Sequence, residues 1–425
     1  MAFSLLVLTF NTESIPSTSY LPAELQKHMG FYSLLTQIPF VDVLVGNHLV
    51  LMIIQHGTQL ALVGVILGWR LKITLPVACL GYFCIAAILR QYSWFYHTGL
   101  IPWLSLVTLA FFPSGDALRI GKKDVRDSSS LSNNYGWGLF CVWATIAIPY
   151  MAAGLSKLRF GGLWWEGANI QGHMLQTALD PMAFDFGWAV HSIHWPHWIL
   201  VILGLSAVFG ELAMILVLFS RTARMVLPAV MVLMHIGILF LQNILFLDLI
   251  LIQAVFYVTL FDRFVPQSEI GSGYVSARSN LFHRGKLVLM AWVTLLVTSW
   301  MFTIEFFPLT SMRMFSKRAD SGTVVYYELW QQHPDGRLVK ADPSVELACM
   351  DDSRYRRYLS GAFSPNGAPQ ASAFFRSWVS VYNEQSEANK RIVRLILVRK
   401  QWNYREDPDS ESRSTREFKI SLDLD

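Results

Sequence analysis

Long apolar runs separated by short polar clusters make up roughly the first 310 residues of the chain. A helix that crosses a bilayer needs about 20 largely apolar residues. Runs of this kind predict eight transmembrane helices, at residues 43–67, 72–89, 95–112, 137–155, 198–219, 225–241, 243–261 and 286–307. Pro102 interrupts the third run, and Gln242 alone separates the sixth from the seventh. The sixth and seventh runs therefore predict a tight hairpin or a broken pair of helices.

The pattern changes after about residue 310, where charged residues become frequent. Two alternating segments, 323–330 and 337–341, flank Pro334-Asp335-Gly336 and predict a β-hairpin. Residues 371–388 predict a helix, whereas residues 391–404 and 417–424 predict further strands. The polar segment 407–416 predicts a mobile connection. Together these elements predict a small α+β domain outside the membrane.

The composition agrees with this division, since 53% of the residues are hydrophobic and 15% are charged, against about 25% charged in soluble proteins. The predicted fold class is an all-α polytopic membrane bundle of about eight transmembrane helices with a small C-terminal α+β extramembrane domain. We divide the chain into an N-terminal interfacial segment (1–40), a transmembrane domain (41–310) and a soluble domain (318–425). The first ten residues lack a basic region and a cleavage site, which favours an interfacial or amphipathic segment over a cleaved signal peptide. The net charge of +4 is too small to indicate nucleic-acid binding.

Basic residues are distributed unevenly among the predicted loops. The loops after the first, third, fifth and seventh runs contain twelve Lys and Arg residues, and the alternate loops contain three. Cytoplasmic loops carry the excess of Lys and Arg in membrane proteins. We therefore expect an integral, multi-pass protein in which the loop at 156–197 and the C-terminal domain lie on the non-cytoplasmic side.

Ionisable residues within membrane spans are costly, and each is a functional candidate. Tyr150, Gly154 and Lys157 have the spacing i, i+4 and i+7, which places them on one helix face. Apolar surroundings disfavour the ammonium form of a lysine, which suits a neutral amine that acts as a base. Two other interpretations stay open: Lys157 extends its amine to the outer interface, or Glu166 folds back and pairs with it.

Further polar residues lie in the other runs. Glu211, in the fifth run, is expected to pair with a basic or amide group inside the bundle. His235, in the sixth run, is expected to face the interior, where Asp248 is a candidate acceptor that would determine its tautomer. His97 stands near the start of the third run. A polar stripe in the first run predicts a structural seam between helices, and it consists of His48, Gln55 and Gln59.

Metal binding has one weak candidate pattern, His191-x-x-His194-x-x-His197. No cysteine or carboxylate completes a ligand set there, and the neighbouring Trp195, Pro196 and Trp198 are typical of an interfacial segment. We therefore assign no metal site.

One block of sequence is similar to a known family. The pattern Tyr150-x-x-Ala153-Gly154-x-x-Lys157-Leu158, followed by Trp165-Glu166-Gly167, resembles a motif of the vitamin K-dependent γ-glutamyl carboxylase and its bacterial relatives, the horizontally transferred transmembrane (HTTM) domain proteins. Weaker similarities follow the family order over residues 40–316, and they are Tyr96-His97, Phe112 to Asp116, Glu211 before FSRTAR, His235 before Phe246-x-Asp248, and Phe307-Pro308 to Ser316.

This resemblance implies a quinol-dependent reaction. The implied cofactor is a reduced quinone such as vitamin K hydroquinone, and the implied substrate is a peptide or protein. Lys157 would be the catalytic base, and His97 and His235 would orient the quinol or its oxygen species. The corresponding cofactor-binding candidates are Tyr150, Gly154, Glu211 and Asp248. The chain departs from the carboxylase in two respects, because Ser156-Lys157 replaces a Lys-Lys pair and the C-terminal domain is much shorter.

Three functions therefore stay open. The first is a membrane enzyme of the carboxylase type, and the second is a non-catalytic membrane protein that binds a lipid or quinone or assists assembly of a partner protein. The third, a transporter, is the least favoured, since no inverted repeat is visible. If Lys157, His97 and His235 line one cavity, the enzyme is favoured; if they are scattered, the second function is favoured.

Overall fold

A computed structural model describes most of the chain. It covers residues 1–11, 15–22, 25, 30–38, 40–41, 43, 46–92, 97–112, 132–161, 164–179, 186–257, 280–312, 318–319, 321–341, 352–410 and 412–423. Several sequence features lie outside these residues: Tyr96, the segments 113–116 and 313–316 of the family resemblance, and the basic residues within 119–126 and 263–278.

Helices make up most of the described structure. The α-helices are α1 Ala2–Asn11, α2 Gly30–Leu35, α3 His48–Ile66, α4 Leu71–Tyr92, α5 Leu100–Ala110, α6 Ser132–Phe160, α7 Ala168–Leu179, α8 Trp188–His191, α9 His197–Ala213, α10 Arg221–Gln242, α11 Leu247–Ile252, α12 Asn280–Met301, α13 Asp352–Ala362 and α14 Ala368–Gln385. Short 3₁₀ helices are Ile15–Tyr20, Trp164–Glu166, Ser192–His194, Met214–Leu218 and Ala388–Lys390. The strands are β1 Glu305–Phe306, β2 Leu309–Thr310, β3 Thr323–Gln332, β4 Leu338–Lys340, β5 Arg394–Asn403 and β6 Arg416–Asp423.

Among the described residues, five helices are long and apolar enough to cross a membrane: His48–Ile66, Leu71–Gln91, Trp137–Phe160, His197–Leu218 and Arg221–Gln242. Large apolar side chains such as Leu60, Leu80 and Phe209 point outward from them and are more than 60% exposed. A water-soluble protein rarely exposes so much contiguous apolar surface. These features support a multi-pass membrane protein.

The three other predicted spans coincide with shorter apolar helices, Leu100–Ala110, Leu247–Tyr257 and Lys286–Met301. Helix α5 has 11 residues and begins after Gly99, whose φ of 66° stops it from extending backwards. At 1.5 Å per residue such a helix covers about half of a bilayer core. The break between the sixth and seventh runs occurs as predicted, because α10 ends at Asn243 in the left-handed conformation.

Helix α6 lies at the centre of the bundle and packs against α5, α9, α12 and the 3₁₀ helix Met214–Leu218. Its apolar residues Val142, Ile146 and Ala147 are fully buried. A helix that is apolar on all sides is suited to this central position. The ionisable residue at its C-terminal end is thereby placed inside the bundle.

The N-terminal segment packs on the bundle and is not only interfacial. Leu5 of α1 is fully buried in the same apolar cluster as the membrane helices. The amide N–H of Ile15 donates to Gln55 Oε1 at 3.0 Å, and Gln59 Nε2 donates to the Thr9 carbonyl at 3.2 Å. The predicted polar stripe is therefore a structural seam, and exposed His48 also contributes to it, because its Nδ1 lies 3.2 Å from the Pro16 carbonyl oxygen.

The C-terminal domain is a four-stranded antiparallel sheet in the order β4-β3-β5-β6, with α13 and α14 packed on one face. The hairpin, the helix α14 and both later strands confirm the predicted elements. Sequence reasoning missed α13, although Tyr355, Leu359 and Ala362 recur on one face of it and are buried. The segment predicted to be mobile is attached to the sheet, because Trp402 donates to the Asp407 carbonyl at 2.8 Å.

Candidate functional site

A buried ion pair joins α6 to α9. Lys157 Nζ lies 2.7 Å from both carboxylate oxygens of Glu211, and the two side chains are 3% and 4% exposed. The prediction that Glu211 pairs with a basic group inside the bundle is confirmed. The expected surroundings of Lys157, apolar walls with no acidic partner, are not observed, because the carboxylate of Glu211 lies within hydrogen-bonding distance of its amine. Its partner is not Glu166, which is exposed.

Gly154 explains how the two helices come close enough for this pair. A Cβ atom at Gly154 would lie 2.9 Å from Leu212 Cγ and 3.1 Å from the Leu212 backbone nitrogen. The absence of a side chain therefore lets α6 and α9 approach at the residue that follows Glu211. Gly154 serves this packing, and it is not among the described residues that line the cavity next to the pair.

That cavity has a volume of about 280 Å³ and is bounded by α7, α9, α10 and Trp164. Its polar lining groups are the ion pair, Ser206 and Gln242, and the remaining lining residues are apolar. The apolar residues are Trp164, Ile170, Met174, Leu203, Ala207, Val230, Leu233, Met234, Gly237, Ile238 and Leu241. Ser206 and Leu233, which line the cavity, are exposed, so the cavity opens on the outer surface of α9 and α10.

The other predicted site residues form a second, aromatic group. The rings of Tyr150 and His235 are 5.9 Å apart, and Phe246 lies 5.6 Å from His235 and 6.2 Å from His97. His235 is 1% exposed, as predicted for an interior residue. Its Nδ1 donates to the Met231 carbonyl at 2.6 Å.

The predicted hydrogen bond between His235 and Asp248 is not formed. Asp248 Oδ2 instead accepts from the Gly99 amide at 2.8 Å. This contact ties the start of α11 to the start of α5, and Asp248 thus has a role in holding the backbone next to His97.

Two buried polar residues of this region were missed as site candidates. Arg90 is 1% exposed, donates to the carbonyls of Ala86 and Thr98, and lies 3.9 Å from the ring of Phe307. Gln253 donates to the Tyr150 hydroxyl at 2.9 Å. The sequence signal for Arg90 is a charged residue at the end of an apolar run.

The predicted site residues thus fall into two neighbouring groups. Lys157 and Glu211 line the cavity, and neither His97 nor His235 is among its described lining residues. Helix α10 separates the groups, since Met234 and Ile238 line the cavity whereas His235 contacts Tyr150. His173 stacks on Trp164 with ring centroids 5.4 Å apart, whereas His191, His194 and His197 are exposed.

Comparison with known proteins gives no match for this chain: no family model, no curated protein and no solved structure matches it.

Proposed function

We propose that this chain is a multi-pass membrane protein, similar to the γ-carboxylase and HTTM families, that binds a lipophilic molecule with a polar end group. The ligand class is a lipid or a quinone, held in the cavity between α7, α9 and α10. One observation carries the proposal: a buried ion pair forms part of the wall of an otherwise apolar cavity that opens on the outer surface of α9 and α10.

The ion pair has hydrogen-bonding capacity left for a ligand. A lysine ammonium has three N–H donors, and two of them point to Glu211. The third is free to donate to a carbonyl or hydroxyl oxygen, and each carboxylate oxygen can accept a further bond. Buried charges in apolar surroundings are costly unless such bonds are made. A polar end group next to Lys157 would therefore be bound by charge-assisted hydrogen bonds, and the apolar walls would hold its hydrocarbon part.

An enzyme of the carboxylase type is the second candidate, favoured by the position of the motif lysine at the cavity. Because Lys157 is paired with Glu211, the geometry suits catalytic roles that differ from those implied by the resemblance. Glu211 would accept a proton from a quinol hydroxyl held in the cavity. Lys157 would stabilise the negative charge left on that oxygen. In this version Glu211 is the base, and a peptide or protein remains the substrate class.

Photoaffinity labelling of the full-length chain in lipid nanodiscs tests the binding proposal. A photoreactive naphthoquinone and a photoreactive phospholipid should each be tried, with mass spectrometry to locate the adducts. Adducts are expected on the cavity-lining parts of α9 and α10, and Ala207→Trp, which fills the cavity, should abolish them. Ile202→Trp is the matched control, because Ile202 is 54% exposed on the same helix and does not line the cavity. Equal labelling of both variants would remove the cavity as the binding site.

The topology is also part of the proposal: eight spans, with the C-terminal domain on the non-cytoplasmic side. The contact of α7, in the loop at 156–197, with strand β3 supports one part of it, namely that the loop and the domain share one side. Ser412 is exposed, and Ser412→Cys should react with an impermeant maleimide added to intact cells. Reaction only after permeabilisation would place the domain in the cytoplasm.

A further inference from the structure

Helix α7 contacts two different parts of the protein with two different faces. Ile170 and Met174 line the cavity. Leu175 is fully buried against the C-terminal sheet, in a cluster with Val324 and Trp402. Successive helix residues are rotated by 100°, so position 175 lies about 140° away from position 170. One side of this helix is therefore a wall of the cavity, and the other is the docking surface of the C-terminal domain.

Backbone contacts also join α7 to both neighbours. Asn169 is fully buried; its Nδ2 donates to the Gly161 carbonyl at 2.5 Å, and its Oδ1 accepts from the Ala319 amide at 2.7 Å. Gly161 follows the helix that carries Lys157, and Ala319 precedes β3. A Cβ atom at Gly172 would lie 1.7 Å from the Ala319 carbonyl oxygen, so the two backbones are in direct contact.

A helix of 12 residues is marginal in isolation. The position of α7 must therefore be determined by the surfaces packed on it. One of these surfaces is formed by the cavity helices α9 and α10, and another is formed by the C-terminal sheet.

We infer that α7 couples the membrane cavity to the C-terminal domain. Docking of the sheet on Leu175 holds Ile170 and Met174 in place as a cavity wall, and a ligand in the cavity strengthens the docking of the sheet. Such a coupling acts equally in both directions. The inference rests on the proposed function only in treating the cavity as a ligand site.

The first experiment needs no ligand. Ala207→Cys places a thiol in the cavity wall, and its rate of reaction with an apolar maleimide is measured in nanodiscs, with mass spectrometry to separate it from the native cysteines. Adding Trp402→Ala, which removes a fully buried ring from the docking surface, should raise this rate by about fivefold or more, the lower end of typical coupling effects. Leu395→Ala is the matched control, because Leu395 lies on the same strand but packs toward α13 and α14.

Hydrogen exchange of α14 shows whether each variant keeps a folded domain. If Trp402→Ala unfolds it, the smaller truncation Val324→Ala on the same docking surface takes its place, with the same expected direction. A thiol that reacts at the same rate in the docking-surface variant and in Leu395→Ala would overturn the coupling.

The second experiment tests the reverse direction. Bound naphthoquinone should slow amide exchange in the parts of β3 and β5 that contain Val324, Tyr326 and Trp402, relative to β6. Binding without this protection would overturn the coupling but leave the proposed function intact. Failure of the naphthoquinone and of a photoreactive phospholipid to bind would refute the proposed function, and the thiol reactivity would still decide the coupling.

Discussion

The Lys157–Glu211 pair allows a double-mutant cycle that separates a structural role from a functional one. Lys157→Met keeps the length of the side chain and removes the ammonium, which leaves the carboxylate of Glu211 buried without its counter-charge. Glu211→Met leaves the amine of Lys157 buried without its carboxylate partner. The double variant replaces both charges with apolar groups of similar size.

The geometry determines the expected magnitude. Opposite charges about 4 Å apart attract by about 4 kcal/mol at an effective dielectric constant of 20, and both N–O distances are shorter, at 2.7 Å. Breaking a buried pair costs about 3–5 kcal/mol, whereas replacing both members by apolar residues is neutral or stabilising. Each single variant should therefore lose about 3–5 kcal/mol of stability, and the double variant should recover it.

Thermal unfolding of the purified full-length chain in nanodiscs measures this effect. Each single variant should melt at least about 5 °C lower than the wild type, if about 2 °C corresponds to 1 kcal/mol in a large domain. Arg159→Met is the control, because this cation lies at the same end of α6 but is exposed. Naphthoquinone labelling of the double variant then reports function, and we expect it to be lost even though the stability is restored.

Two results would refute this reasoning. If the two single effects add in the double variant, the side chains do not interact energetically. If Lys157→Met melts like the wild type, the pair does not contribute to stability.

Two further predictions concern packing and pH. A Cβ atom at Gly204 would lie 2.2 Å from the Trp164 carbonyl oxygen, so Gly204→Ala should shift the cavity wall and lower the melting temperature, whereas Gly237→Ala meets nothing within 4 Å and should not. Burial raises the pKa of Tyr326, in the C-terminal domain, to about 12, against about 10 in an unfolded chain. The neutral phenol is thus favoured by folding, and its contribution to stability is complete below pH 10 and lost as the pH rises toward 12. Hydrogen-exchange protection of β3 is measured between pH 9 and 11 and corrected for the intrinsic exchange rates. It should depend less on pH in Tyr326→Phe than in the wild type.

Local sequence pattern was sufficient for most of the secondary structure. Twenty apolar residues in a row can satisfy their backbone groups in a bilayer only as a helix, and alternation around Pro334-Asp335-Gly336 is specific to a hairpin. The same local reasoning identified Lys157, Glu211 and His235 as candidates, because charged or titratable groups are rare in such runs. It failed for α5, where the apolar run does not reveal that Gly99 adopts a left-handed conformation and that the helix therefore begins only at Leu100.

Only the tertiary structure decided which of these residues meet. Lys157 and Glu211 are 54 positions apart, and their contact depends on the close approach of α6 and α9 at Gly154. His235 bonds the Met231 carbonyl of its own helix, and Asp248 accepts from the Gly99 amide. The contacts of α7 on two sides likewise have no signal in its twelve residues. An apolar helix face shows that the face is buried, but it does not show which neighbour covers it. Periodicity along the chain determines which residues share a face, but the neighbour of that face is set by how all the helices pack together.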